Sequence, residues 1–487
     1  MHKQKQTLHL FNRRLFLKSI ATTLTAFYSN KLYANSTVKI LASLGQKLGF
    51  TTVLSENDAA EKLSLNYNKA RRIIPQARLL ARPRSGFSNL IARLAEEDQG
   101  FAIRSGGHCF GGFSQHPDLV LDLRDLNQVE VDPTSRLVKA GPGANIGNLY
   151  DALTPHGLTL PAGTHRQVGL GGHVLGGGFG YYSRHHGMLC DRLRALKIVT
   201  ADGRVLTASP EQNSDLFWAC QGGGGGSLGL VLEFTFEAFP FDVHHAIKFS
   251  DTASAPDAAR ILYNWQFWSK LSPNHTTHLH FSRHSDSKFS LFLTGVSVDP
   301  SRAKLETEIG QVFGLRHPIH PNYIRTTSQK KIEAFLYDQH LYSSAIFNSR
   351  SDYLNEPLLL DAIQNFVQVL MQYPPNSVEF VFEALGGEIS KIAKNTTAFP
   401  HRKAEILIQY TSEIWKPEQR EIRERAMAHV SHVLSPYVTG GAYVNYPDLN
   451  LKNWQQAYWG DNFARLQSVK RKYDPNNVFN HPHSIPL

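Results

Sequence analysis

Residues 104–112, Arg-Ser-Gly-Gly-His-Cys-Phe-Gly-Gly, set a cation, a hydroxyl and close-spaced glycines around one histidine, with no carboxylate from Ile103 to Pro117. Glycine lets backbone N–H groups come close to an anion, and consecutive N–H donors form a nest for phosphate. Residues 163–180, Gly-Thr-His-Arg-Gln-Val-Gly-Leu-Gly-Gly-His-Val-Leu-Gly-Gly-Gly-Phe-Gly, have the same character, and no Asp or Glu lies between Asp151 and Asp191. Two acid-free glycine loops predict a ligand with a polyphosphate backbone.

A dinucleotide fold of the Rossmann kind is the rival reading, since Gly141-Pro-Gly143-Ala-Asn-Ile-Gly147 follows a strand-like Leu137-Val-Lys-Ala140. That fold needs an acid about 20 residues further on for the ribose hydroxyl. The window is acid-free here, so the reading fails. Ordinary glycine-rich turns would explain one such loop but not several of one kind.

The motifs Arg104-Ser-Gly-Gly-His108 and Val168-Gly-Leu-Gly-Gly-His173-Val-Leu-Gly-Gly-Gly-Phe-Gly180 resemble those of the berberine-bridge-enzyme-like branch of the flavin-linked vanillyl-alcohol-oxidase superfamily. The resemblance continues through His186-Gly-Met-Leu-Cys-Asp191, Val199-Thr-Ala-Asp-Gly-Arg204 and Asp215 to Gly229. It resumes at Tyr443-Val-Asn-Tyr446, Tyr458-Trp-Gly-Asp-Asn462-Phe-Ala-Arg465, Tyr473-Asp-Pro-Asn-Asn-Val-Phe479 and Ser484-Ile-Pro486. Each motif alone is short; their order and spacing, from about residue 80 to the C-terminus, make the set specific.

The resemblance implies FAD, bonded through the His108 ring to the flavin C8α methyl. It implies a cofactor shell of Arg104, Ser105, Gly106, Gly107, Cys109, Phe110, Val168, Gly169, Gly172, His173, Gly177, Gly178, Asp191, Gly229, Val231, Asn445 and Asn462. Many relatives make a second bond from a cysteine at the position of His165, so one covalent link is expected, with His165 lining the flavin edge or filling volume. A small side chain at Val168 leaves room for dioxygen, which implies an oxidase releasing hydrogen peroxide. Tyr446 is expected as the base that takes a proton from an alcohol, with Tyr443 and Asn445 shaping the pocket and Gln409 projecting into it. A free phenol has a pKa of about 10, so the base must be activated by neighbours. The lysine that does this in relatives is Leu407 here, and what activates the tyrosine is open. If 443–446 is a strand, residues 443 and 445 share one face and 446 the other, whereas a bulge or loop would change that.

The implied substrate is a small molecule such as a sugar, an oligosaccharide or a secondary metabolite. Three other readings share the loops: a dehydrogenase with a non-oxygen acceptor, an enzyme of amine oxidation or ring closure, and a non-enzymatic exported flavoprotein. His278, His280 and His284 would share a strand face; with only Asp286 nearby to complete a site, no metal is assigned and a solvated or pocket-lining face is expected.

The elements that must hold these residues follow from patterning. At 487 residues, 41% hydrophobic and 11% aromatic, the chain is globular and long enough for two large subdomains. Short apolar runs at 119–123, 137–140, 196–200 and 228–236 alternate with polar helix-like stretches. From about Phe241 come strands near 278–282, 289–293 and 378–382 and helices near 255–270, 302–314 and 356–373. This interleaving indicates an α/β or α+β domain; with the resemblance, the predicted fold is α+β, and the resemblance implies a two-subdomain FAD-binding domain of the p-cresol-methylhydroxylase (PCMH) type at 40–240. A substrate domain at 241–446, an antiparallel sheet covered by helices, comes next, and 447–487 returns to the first domain.

The formal charge of +10 suggests nucleic acid, but six of the cations lie in residues 1–34, which hold no acid; without them the chain carries +4. A mildly positive enzyme that holds a dianionic cofactor needs no nucleic acid to explain that remainder, so none is expected. The segment Asn12-Arg13-Arg14-Leu-Phe-Leu-Lys18, with a short threonine-rich apolar stretch after it, resembles the bacterial twin-arginine export signal. It implies recognition by that machinery, removal of 1–34, and a periplasmic or secreted enzyme without a stable membrane span. Cys109, Cys190 and Cys220 make no disulfide framework and are expected as free thiols.

Overall fold

The computed structural model describes residues 38–317, 319–336 and 346–487. Its fold is α+β, with three smaller sheets of four, five and two strands in the first half of the chain and one large antiparallel sheet in the second.

The first sheet orders its strands Thr51–Leu54, Ala77–Leu80, Leu119–Asp122 and Ala102–Arg104, the last three mutually parallel. Leu119, Val120 and Leu121 are all fully buried, the continuous apolar run expected of a parallel strand covered on both faces. One cover is the helix Phe87–Glu96, whose Phe87, Leu90, Ile91 and Leu94 recur at helical spacing and join the same core. The second sheet, antiparallel and five-stranded, has Leu230–Glu237 at its centre. Against its core lies the helix Ile146–Leu153, started by a capping box in which Asn145 and Asn148 each bond the other's backbone N–H. One glycine loop continues from Arg104 at the end of the first sheet, and the other bridges Gly169 to Asn145 at the start of that helix.

The chain then enters a seven-stranded sheet ordered Ile324–Arg325, His245–Ala253, Phe289–Ser297, His275–Arg283, Glu379–Ala384, Ile406–Ile414 and Ile346–Leu354. Side chains on a strand alternate between faces, and here the alternation divides core from site. Leu279, Phe281, Leu291, Leu293, Phe380, Phe382 and Ile408 point into one core beneath the helices Ala255–Leu271, Arg302–Phe313, Leu360–Met371 and Arg420–Leu434. Their neighbours in sequence face the glycine loops. Truncating one core phenylalanine, such as Phe281, to alanine costs about 3–5 kcal/mol.

Two readings that the sequence made conditional on a strand are decided here. His284 lies beyond the strand end at Arg283, and its N–H closes the hairpin onto the Lys288 carbonyl, so only His278 and His280 share a strand face. Residues 443–446 form a turn closed by the Tyr446 N–H on the Tyr443 carbonyl (2.9 Å). An i to i+3 turn folds its ends together, so the two tyrosine rings meet edge-on with centroids 5.1 Å apart instead of facing apart. All three cysteines are free.

Candidate active site

The glycine loops are pressed back to back. A Cβ on Gly106 would lie 2.5 Å from the Gly169 nitrogen, and one on Gly169 would lie 2.2 Å from the Gly106 nitrogen, so neither position tolerates a side chain. Ser105 joins them to the neighbouring turn by donating to the Pro142 carbonyl at 2.6 Å. Gly172, by contrast, has open space where its Cβ would be. That space belongs to a cavity of about 900 Å3 between the loops and the large sheet.

His108 borders this cavity. Its ring stacks on Tyr67 (centroids 3.7 Å apart, 24° between planes) and lies 4.5 Å from the His165 ring. Its Nε2 is buried without a hydrogen-bond partner, and burial drives its pKa well below the usual histidine range. The ring is therefore neutral, with a nucleophilic lone pair. His165 and Val168 are drawn together by the turn bond from the Val168 N–H to the His165 carbonyl. His173, held neutral near pKa 4 by burial, accepts from the Gly163 N–H at 3.0 Å.

Ser105, Gly106, Gly107, His108, Cys109 and Phe110 line the cavity, as do His165, Val168, Gly169, Gly172 and His173. Gly229, Val231, Gln409, Tyr443, Asn445 and Tyr446 complete the predicted residues that reach it. Five others do not. Arg104 turns inward, donating to the Leu65 carbonyl at 2.5 Å and pairing with Asp122 at 3.7 Å, so it braces its loop from beneath. Asp191 takes both guanidinium nitrogens of the buried Arg402 (2.7 and 2.8 Å) and the Met188 N–H. Asn462 donates to the carbonyls of Lys394, Thr397 and Ala398. Gly177 and Gly178, at φ +114 and +74, make the left-handed bend behind the loop.

The Tyr443 hydroxyl accepts from the Gly178 N–H and the Asn445 amide, each at 3.0 Å, which ties the turn to that bend. Tyr446 stacks parallel to Phe110, with centroids 5.7 Å apart, and donates its phenolic proton to Oε1 of Glu383 at 3.3 Å. Burial raises both phenols above their ordinary range. Neither is a depressed, ready-made phenolate.

Glu383 escaped the sequence reading. It is 5% exposed, its Oε2 is buried without a partner, and it is the one carboxylate among the described residues lining the cavity. Desolvation pushes its pKa up to about 8. On the adjacent strand it pairs directly with His278, whose Nδ1 is 3.8 Å from Oε1. A signal was available: in Glu379-Phe-Val-Phe-Glu383 the phenylalanines take the core parity, which leaves an acid on the opposite face of a central strand. Among the described residues no cluster of three or more histidine, cysteine, aspartate or glutamate side chains is arranged to hold a metal.

Two family models match this chain: an FAD binding domain over residues 75–209, and berberine and berberine-like proteins over residues 442–486. The FAD-linked oxidoreductase YgaK of Bacillus subtilis is 31% identical over 86% of this chain and 95% of its own length. Berberine bridge enzyme-like 18 of Arabidopsis thaliana is 31% identical over 79% of this chain and 77% of its own. The solved structure of berberine bridge enzyme from Eschscholzia californica superposes with a TM-score of 0.81 at 25% identity, over 92% of this chain and 99% of that one.

Proposed function

Because the chain belongs to the berberine-bridge-enzyme-like FAD-linked oxidoreductases, we propose that it is an oxidase of an alcohol-type carbon, with FAD bonded covalently through His108. The observation that carries the reading is the Tyr446–Glu383 pair, a buried proton acceptor lining the same cavity as His108, whose Nε2 has no hydrogen-bond partner.

The residues fit the cofactor. The orphaned His108 Nε2 suits a bond to carbon, and the open side of Gly172 beside the packed Gly106–Gly169 contact suits a dinucleotide backbone. His165 and Cys109 offer no second thiolate at the flavin edge, because burial raises the Cys109 thiol and keeps it protonated. Bound there, FAD supplies the two-electron acceptor, and with dioxygen as final oxidant an alcohol and O2 become a carbonyl compound and hydrogen peroxide.

The chain's own residues manage the proton. An ionised Glu383 accepts the Tyr446 proton at Oε1 as the phenol oxygen takes that of the substrate hydroxyl, or accepts the substrate proton directly at Oε2. A carboxylate raised to about 8 is far more basic than an ordinary one, and a base poised near neutrality is the efficient case. Because phenol and carboxyl are coupled, the titration belongs to the pair. Tyr443, Asn445 and Gln409 shape the pocket, and Val168 leaves the loop face unobstructed. The export role proposed for Arg13-Arg14 lies outside the described residues; no helix among the described residues is long and apolar enough to cross a membrane.

A second reading rests on the same carboxylate, since a lone acid in a cavity also suits a protonated amine. An anaerobic screen separates the two. Alcohols should bleach the flavin and amines should not, and readmitted air should restore the colour with one hydrogen peroxide per turnover. Bleaching by amines alone would overturn the alcohol reading.

A further inference from the structure

The cavity face of the large sheet carries a polar row one residue wide. Thr294, His278 and Glu383 are direct cross-strand partners on three adjacent strands, and His280 and Gln409 lie two residues further along theirs. All five line the cavity. Of the five, only Glu383 is needed for proton removal, and His278 lies outside every motif that carries the family resemblance.

The His278 side chain is 4% exposed and held on two sides by Tyr181, with ring centroids 4.8 Å apart, and Phe179, at 6.5 Å. Its Nδ1 faces the Glu383 carboxylate, while its Nε2 is buried and unpartnered. In the reactive state, with Glu383 ionised, a carboxylate beside Nδ1 favours the tautomer with the proton on that nitrogen, which leaves Nε2 as an acceptor. Burial lowers the ring to about 3, so it stays neutral beside Glu383 and does not compete for the proton. A buried acceptor with no partner in the protein is a place for a donor from the ligand.

We infer that His278 is a substrate-binding residue whose Nε2 accepts a hydrogen bond from a second hydroxyl, on the carbon next to the one oxidised, so that the enzyme selects vicinal hydroxyls of a sugar or polyol. Opposed side chains on neighbouring strands have Cβ atoms only about 4.5–5.5 Å apart. Acceptors that close receive hydroxyls from adjacent carbons, not from remote ones. The reacting hydroxyl is held by Glu383 and Tyr446 and its neighbour by His278, while His280 and Gln409 meet polar groups beyond. The inference rests on the alcohol-oxidation reading.

The test uses the flavin-loaded enzyme and anaerobic flavin reduction by D-glucose and D-galactose, by their 2-deoxy counterparts, and by benzyl alcohol, which has no neighbouring hydroxyl. Wild type should prefer the complete sugars by about 10- to 100-fold in kcat/KM, the effect of one or two hydrogen bonds. His278→Leu should lose that factor for the complete sugars, mainly as a raised KM, and so close the gap to the 2-deoxy sugars. His278→Gln, which returns an acceptor near Nε2, should restore part of it. Equal losses on both sugar classes with a lowered melting temperature, or no preference in wild type, would overturn the inference. Reduction by benzyl alcohol but by no sugar overturns it while alcohol oxidation stands. Reduction by benzylamine alone removes the reading beneath it as well.

Discussion

The Tyr446 phenol donates to a carboxylate, Glu383, that is itself held protonated until about pH 8. The bond joins the turn at 443–446 to a central strand of the large sheet, so the proton acceptor is assembled from two segments 63 residues apart in sequence. Its ionisation governs both reaction and stability.

Flavin reduction by an alcohol substrate should rise with pH through about 8 in wild type, because only the ionised Glu383 accepts a proton. Glu383→Gln should slow that step by about 10²–10⁴-fold and flatten the profile. Stability should move oppositely. Between the ordinary glutamate range and about 8 the native chain keeps a proton that the unfolded chain has released, so this group makes stability fall as pH rises. Melting curves should therefore show Glu383→Gln gaining on wild type from pH 5 to pH 9.

Tyr446→Phe should shift the pH midpoint of flavin reduction upwards, since the phenol's hydrogen bond holds the Glu383 pKa down. Tyr443→Phe should leave the midpoint in place. It removes instead the acceptor for the Gly178 N–H and the Asn445 amide, and should show as a lower fraction of chains that incorporate flavin. Stopped-flow reduction across a pH series, with flavin content measured alongside, separates the two.

Acid-denatured wild-type protein should stay yellow, with its mass raised by one FAD, while His108→Ala should release its flavin on denaturation. Intact-mass measurement decides the point. Free flavin from denatured wild type would exclude a bond at the unpartnered His108 Nε2.

Arg402→Met should destabilise the fold by about 3–5 kcal/mol, because it strands the carboxylate of Asp191, which is 7% exposed. The double variant Asp191→Leu with Arg402→Met should recover much of the loss, since replacing both charges leaves no buried ion unpaired. Calorimetric melting of the three variants tests this. Equal loss in the single and double variants would show that Asp191 matters more through the Met188 N–H.

Replacing Arg13-Arg14 by two lysines should leave the precursor in the cytoplasm, folded and yellow. Fractionation followed by flavin fluorescence reads this directly. Export that persists after the change but stops on blocking the general secretory route would sink the twin-arginine proposal.

The loops were legible because their requirement is local. Gly106 and Gly169 touch through backbone, and a chain with glycine at both contacts announces the closeness. The strands around Leu279–Phe281 and Phe380–Phe382 were legible because alternation is a property of neighbours in sequence. The same alternation puts Glu383 on the opposite face, but its importance comes from a cross-strand partner, His278, more than a hundred residues away, and from the cavity wall they share, which parity alone does not report. Arg104, Asp191 and Asn462 stand inside motifs but serve as braces; a motif records that a residue is needed without saying which way its side chain points. The motif at 443–446 left strand and loop open, and only its i to i+3 bond reveals that both tyrosines meet.

The seven-stranded sheet gives two independent sets of positions on one backbone. Odd and even residues along the strand from His275 to Arg283 answer to different demands: Leu279 and Phe281 to packing beneath the helices, His278 and His280 to whatever enters the cavity. Substrate preference can therefore be rewritten at every second residue while the hydrophobic layer stays untouched. A library confined to positions 248, 278, 280, 292, 294, 381 and 409 would vary the chemistry of the cavity wall while the scaffold that supports it keeps its sequence.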